Sequence, residues 1–159
     1  MEVSAYNYAV RLLARQDYSR AKLRQKLILR EFASSEIEEA LTKVVEKGYL
    51  REENYIKNKI LSMVARNYSR SYIQRKLVQE GLKVDWEQMA PLLETEATPS
   101  EDDQIDKLIQ KKWRSLSQRQ LPTTKIREKI LSFLFSKGHS FDKGKKILDK
   151  FLAAQDRIS

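Results

Sequence analysis

Apolar side chains recur every three or four residues from the start of the chain, and no stretch alternates with the period of two that a strand requires. Tyr6, Val10 and Leu13 make one such stripe; after a break at Gln16-Asp17-Tyr18, Leu23, Leu27 and Ile28 make another. Ser19 is placed to cap the second helix, with Tyr18 just before the cap meeting Leu23 as a hydrophobic staple. Ser35 and Glu38 have the spacing of a capping box for a third helix, which carries Ile37, Leu41, Val44 and Val45 and stops at Gly48 in a left-handed turn.

The pattern then begins again. Tyr55, Ile56, Ile60, Met63 and Val64 share one helix, and Ala65-Arg66-Asn67-Tyr68-Ser69-Arg70 echoes Ala14-Arg15-Gln16-Asp17-Tyr18-Ser19-Arg20 with one residue deleted. Between Tyr18–Leu27 and Tyr68–Leu77 five of ten positions are identical, so the chain contains an internal repeat. Gly81 ends that helix. Asp85 starts the next, with Trp86, Met89, Leu92 and Leu93, and Pro91 inside it is expected to kink or shorten it.

A stretch without periodicity, about residues 94–103, leads to a third unit. Ser100 caps a helix with Glu101, Asp102 and Asp103 in its first turn, where the helix dipole favours acids, and with Ile105, Leu108, Ile109, Trp113 and Leu116 along it. A helix from near Thr124 carries Ile126, Ile130, Phe133 and Leu134 to Gly138, and a last one from Ser140 carries Phe141, Ile147, Leu148 and Phe151. Aligned on their stops, Arg20, Arg70 and Arg127 correspond, as do Leu27, Leu77 and Leu134. The reading is an all-α, elongated and curved array of three tandem three-helix, helix-turn-helix-like repeats: residues 1–53, 54–97 and 98–159.

Composition removes most chemistry. Among 159 residues there is no Cys and one His, which excludes disulfides, thiol nucleophiles and the common zinc sites. Four Gly leave no glycine-rich phosphate loop. The start lacks the pattern of a signal peptide and no apolar run is long enough to span a bilayer, so the expectation is a cytoplasmic, monomeric chain without enzymatic activity, cofactor or metal. The net charge of +9 points to a polyanionic or acidic partner. Residues 98–159 hold 14 Lys+Arg against 8 Asp+Glu and so carry most of it.

Tyr8-Ala9-Val10-Arg11-Leu12-Leu13-Ala14-Arg15, then Tyr18-Ser19-Arg20-Ala21-Lys22-Leu23, Gly48-Tyr49-Leu50 and Tyr68-Ser69-Arg70 together resemble the RecX family, bacterial modulators of the RecA recombinase. Val84-Asp85-Trp86 and the run from Phe133 to Gly138 extend the resemblance over essentially the whole chain. It implies three tandem three-helix repeats and a protein that lies along RecA–DNA filaments, suppressing ATP hydrolysis, strand exchange and the coprotease activity that triggers the SOS response. The sequence departs from the family pattern at three points: Arg51 replaces an acid, Glu31 stands at the glycine position of the first unit, and His139 stands where an aromatic is common.

The candidate partner- or DNA-binding residues are the cations of the second helix of each unit and of the last helix. They are Arg20, Lys22, Arg24 and Lys26; Arg70, Arg75 and Lys76; Arg127 and Lys129; and Lys143, Lys145 and Lys146. Arg20 and Arg24 lie toward the Leu23–Leu27 side, which gives them a partly structural role. Tyr18, Tyr68, Trp86 and Trp113 are expected to pack rather than stack on bases, and His139 to serve a turn. An array of repeats with a recurring basic strip fits a filament regulator; direct binding of single- or double-stranded DNA by helix-turn-helix-like units is the alternative.

Overall fold

The computed structural model describes residues 3–94 and 98–158, and these form nine helices with no strand among them. The helices are α1 (Ala5–Arg15), α2 (Arg20–Leu29), α3 (Ser34–Glu46), α4 (Glu52–Ala65), α5 (Arg70–Gln79), α6 (Trp86–Leu93), α7 (Glu101–Ser117), α8 (Thr123–Ser136) and α9 (Phe141–Asp156). They run as three tandem triplets. By packing, the chain divides into two compact units, one reaching Lys59 and one beginning at Ile60, so that α4 crosses the division.

The caps explain where the helices begin. Ser19 Oγ accepts the Lys22 N–H at 3.1 Å, Ser69 Oγ accepts that of Tyr72 at 3.1 Å, Ser100 Oγ that of Asp103 at 3.1 Å and Ser140 Oγ that of Lys143 at 3.3 Å. Each satisfies an otherwise orphaned donor, an arrangement worth about 1 kcal/mol. Asp85 caps α6 in the same way, accepting from Glu87 and Gln88. The middle helix of each triplet ends in a left-handed residue: Glu31 (φ 63°), Gly81 (φ 71°) and Gly138 (φ 85°).

In the first unit, Ala5, Ala9, Tyr18, Leu23, Leu27, Ile37, Ala40, Leu41, Val44 and Leu50 form one core. The expected α1 stripe is corrected here: Ala5 and Ala9 are its buried residues, whereas Tyr6, Val10 and Leu13 pack against the core only in part. Small side chains let α1 settle closely on α3, and the larger ones wrap the edges of that contact. In the second unit Ile60, Met63, Ile73, Leu77, Leu82, Met89 and Leu93 are buried. A further cluster joins Ile105, Leu108, Ile109 and Leu116 of α7 to Ile126, Ile130 and Leu134 of α8 and Leu148 of α9.

Other local expectations also change. The third helix starts after Ala33, two residues before the position read as its cap, so Ser35 lies inside the helix and Glu38 is released for other partners. The eighth starts at Thr123 after Pro122, not at Thr124. Ile28, Val45 and Phe141 are exposed rather than buried, each lying one position beyond the buried face of its helix or in its first turn. Trp86 and Trp113 are half-buried, Trp113 packing edge-on to Phe151 with ring centres 5.7 Å apart. The connection from residue 94 ends at Ser100, so Glu101 to Asp103 are already helical, and residues 95–97 of it lie outside the described residues. Pro91 does sit inside a short helix of eight residues.

Candidate functional site

The middle helix of each triplet carries cations of two kinds. The first kind holds the triplet together. In the first unit Arg24 lies 2.8 Å from the Glu38 carboxylate of α3, and Arg20 lies 3.6 Å from it. Arg70 of α5 pairs with Glu94, just beyond α6. Arg127 of α8 donates from Nε to Asp149 of α9 at 2.9 Å, with a second contact from its other nitrogen at 3.4 Å. Thus the three arginines that correspond in the repeats each meet an acid on or just after the third helix of their own triplet. The hydrogen bond that Arg127 donates to Asp149 raises the Arg127 pKa and lowers that of Asp149.

The second kind makes no such pair. Lys26 of α2, Arg75 and Lys76 of α5 and Lys129 of α8, and with them Lys146 of α9, carry no ion pair with any described residue; Lys76 is half-buried and the other four are exposed. Lys145 is exposed, with Asp149 near enough to feel its charge. Lys22 places its ammonium 5.4 Å from the centre of the Tyr55 ring. Charge therefore recurs along the middle helices in a form that a partner can reach, and α9 adds to it.

Lys143 behaves differently from its neighbours. Its Nζ lies 2.7 Å from Glu101 Oε2 and 3.7 Å from Asp102 at the start of α7. That bond holds the Glu101 carboxyl below its ordinary range, burial opposing it and His139 adding to it, and it raises Lys143. His139 is buried, its Nδ1 3.5 Å from Glu101 Oε1 and its Nε2 2.8 Å from the carbonyl oxygen of Asn67. Asn67 is itself left-handed, with φ 62°. Two residues on, the Ser69 N–H donates to the Lys137 carbonyl at 2.9 Å. His139, Glu101 and Lys143 are thus the polar part of the junction between the second and third triplets.

Tyr18 is buried as expected of a staple. Tyr68 stacks on Tyr72 at 4.6 Å and has the Lys137 ammonium 4.0 Å from its ring centre, so its faces are engaged within the protein. Sequence reasoning read Glu38 as a capping residue and gave Glu94 and Asp149 no partner, because an acid on a helix face has no local signature that reveals a partner 14 to 24 residues away. No helix among the described residues is long and apolar enough to cross a membrane. No group of three His, Asp or Glu placed to hold a metal occurs among them either.

Comparison with known proteins follows the same division. The model of the RecX first three-helix domain matches residues 5–43, and that of the RecX third three-helix domain matches residues 100–148. A regulatory protein RecX of Haemophilus influenzae strain PittEE is 31% identical over 146 residues, covering 89% of this chain and 91% of its own. One of Trichlorobacter lovleyi is 24% identical over 146 residues, covering 91% and 94%. The crystal structure of RecX from Lactobacillus salivarius has the same fold, with a TM-score of 0.61 at 21% identity over 92% of this chain and 93% of that one. With its helix caps, its repeated left-handed stops and these matches in register, the chain belongs to the RecX family of regulatory proteins.

Proposed function

We propose that this protein binds RecA–DNA filaments and restrains them, lowering ATP hydrolysis, strand exchange and coprotease activity in DNA repair and the SOS response, without catalysing a reaction of its own. Family membership supplies the regulatory role. The observation that carries the reading to a filament is the recurrence, on the middle helices of successive triplets, of cations that pair with no described acid: Lys26, Lys76 and Lys129. A filament presents the same acidic features again and again, and a chain whose charge recurs with its own repeat can meet several of them at once. Each contact after the first is then intramolecular, so weak individual contacts sum to strong retention. In this reading Lys145 and Lys146 extend the contact, whereas Arg20, Arg24, Arg70, Arg127 and Lys143 act by holding the presenting helices in place.

The test is co-sedimentation with RecA assembled on single-stranded DNA with a slowly hydrolysed ATP analogue, beside naked DNA and DNA-free RecA. Pelleting with filaments at physiological salt, and with neither control, is the expected result. Equal retention on naked DNA, falling linearly in log salt, would replace this reading with a phosphate-driven nucleic-acid module.

A further inference from the structure

The middle helices share a second recurring feature that their charge does not explain. Three residues before each left-handed stop stands a large apolar residue: Ile28, Val78 and Phe135. The register is fixed by the backbone, since the N–H of Glu31 donates to the Ile28 carbonyl, that of Gly81 to Val78 and that of Gly138 to Phe135, each at 2.9 Å. All three side chains are exposed, by 56%, 66% and 72%, although each directly follows a leucine that is fully buried. Leu29 widens the apolar surface on α2 and is 77% exposed. Isolated exposed apolar residues are ordinary on a protein surface. One at the same register in every triplet is a surface that repeats with the fold.

We infer that Ile28, Val78 and Phe135 are protein-docking anchors, each fitting an apolar socket rimmed by acids on a protein partner. Charge complementarity selects that occupant. Lys26, Arg75, Lys76 and Lys129, which pair with no described acid, stand on these same three helices, and the chain carries a net charge of +9. An exposed valine or phenylalanine gains little from a phosphate backbone, whereas burial in a protein socket removes its apolar area from water and makes it a centre of binding energy. Arg75, one turn before Val78 on the same face, would form part of the polar rim there, and the other cations would act through long-range attraction, raising the rate of encounter. This inference rests on the filament reading and deepens it: the middle helices meet the protein component of the filament, not its DNA.

The test is the full chain with Ile28→Gln, Val78→Gln and Phe135→Gln together, glutamine being a good helix former, so that α2, α5 and α8 keep their structure. Filament co-sedimentation, naked single-stranded DNA binding and thermal melting are measured on wild type and variant. The expected result is a loss of filament affinity of about tenfold or more, with melting and the salt dependence of any DNA binding unchanged. If the wild type pellets with filaments and the triple variant pellets equally well, the anchors are wrong while the proposed function stands. An equal loss of naked-DNA binding would assign these residues to DNA and overturn the inference. Failure of the wild type itself to pellet with filaments would remove the function reading and this inference with it. Substituting Phe135 alone guards against a folding defect in the triple variant: a melting temperature equal to wild type with weakened filament binding supports the anchor, and unweakened binding counts against it.

Discussion

His139 Nε2 lies 2.8 Å from the carbonyl oxygen of Asn67, so a ring at the turn before α9 completes the hydrogen bonding of a left-handed turn that leads into α5. The two positions are 72 residues apart in sequence. His139→Ala removes that bond, leaves the Asn67 carbonyl short of a partner and opens a cavity in a fully buried place. Together these cost about 2–4 kcal/mol. His139→Phe fills the place but loses both the bond to Asn67 and the approach to Glu101, so it is expected to cost less than His139→Ala without restoring the wild-type stability. Urea unfolding of both variants checks this; equal losses would mean that volume and bonding are not what the ring contributes.

Glu101 makes the same junction sensitive to acid. The Lys143 ammonium first, then His139, hold its carboxyl below the ordinary 4.5 against an opposing contribution from burial. A carboxylate whose folded pKa is depressed binds fewer protons folded than unfolded, so its stabilisation is fully present above the unfolded value. It is lost as pH falls below 4.5 and through the folded value. Asp149, lowered chiefly by Arg127, acts in the same direction. Glu101→Gln is therefore expected to flatten, without abolishing, the acid limb of unfolding free energy measured from about pH 6 to about pH 3. An unchanged limb would show that Glu101 takes no part in it.

Helix number, caps and stops were legible because they depend on neighbours in sequence. Ser19, Ser69, Asp85, Ser100 and Ser140 all cap the helices that follow them. The misread cap at Ser35 shows the limit: its spacing to Glu38 satisfies a local rule, but the helix starts two residues earlier, after Ala33, and Glu38 reaches Arg24 across the helix pair. Burial in α1 was misjudged for a related reason. Tyr6, Val10 and Leu13 stand out as large, largely apolar side chains at helical spacing, yet close helix approach is decided by small size, which favours Ala5 and Ala9. The candidate site was legible as a set of basic helices but not as two classes of cation, since whether Arg127 or Lys129 meets an acid depends on where α9 lies.

Glu31 occupies a left-handed position that Gly81 and Gly138 fill in the other triplets. A side chain there costs about 1 kcal/mol relative to glycine, and no Glu31 side-chain partner among the described residues offsets it. Glu31→Gly is expected to stabilise the protein by about 1 kcal/mol, read as a higher midpoint in urea. A fall in the midpoint would mean that the backbone at Glu31 is not held in this conformation.

The two glycines differ in what surrounds them. An added Cβ at Gly81 meets nothing within 4 Å, so Gly81→Ala costs the conformational strain alone, about 1 kcal/mol. At Gly138 it would lie 2.5 Å from both Ser69 Oγ and Tyr72 Cβ. The hydroxyl can rotate away, but the Tyr72 Cβ is fixed to the first turn of α5. Gly138→Ala must therefore push the α8–α9 turn away from the Ser69 cap, adding about 1–3 kcal/mol to the conformational cost. Paired urea unfolding curves decide the matter, and similar losses for the two variants would argue against the close approach at Gly138.

The division of cations into clamps and free charges separates stability from partner binding. Arg127→Gln breaks the bond that joins α8 to α9, and its effect on filament binding is expected to be smaller than its effect on the melting transition, since Asp149 already neutralises the guanidinium. Lys26, Lys76 and Lys129 contribute no ion pair to the described fold. Changing all three to Gln leaves melting nearly unchanged while lowering filament affinity about tenfold at low salt, an advantage the wild type loses as salt screens it. The order is what matters: lysine variants that lose stability before binding, or an Arg127 variant that loses binding with its melting intact, would reverse the roles assigned to the two classes. Measuring co-sedimentation and melting on the same preparations distinguishes these outcomes, because a clamp acts on the partner only through the helix it positions.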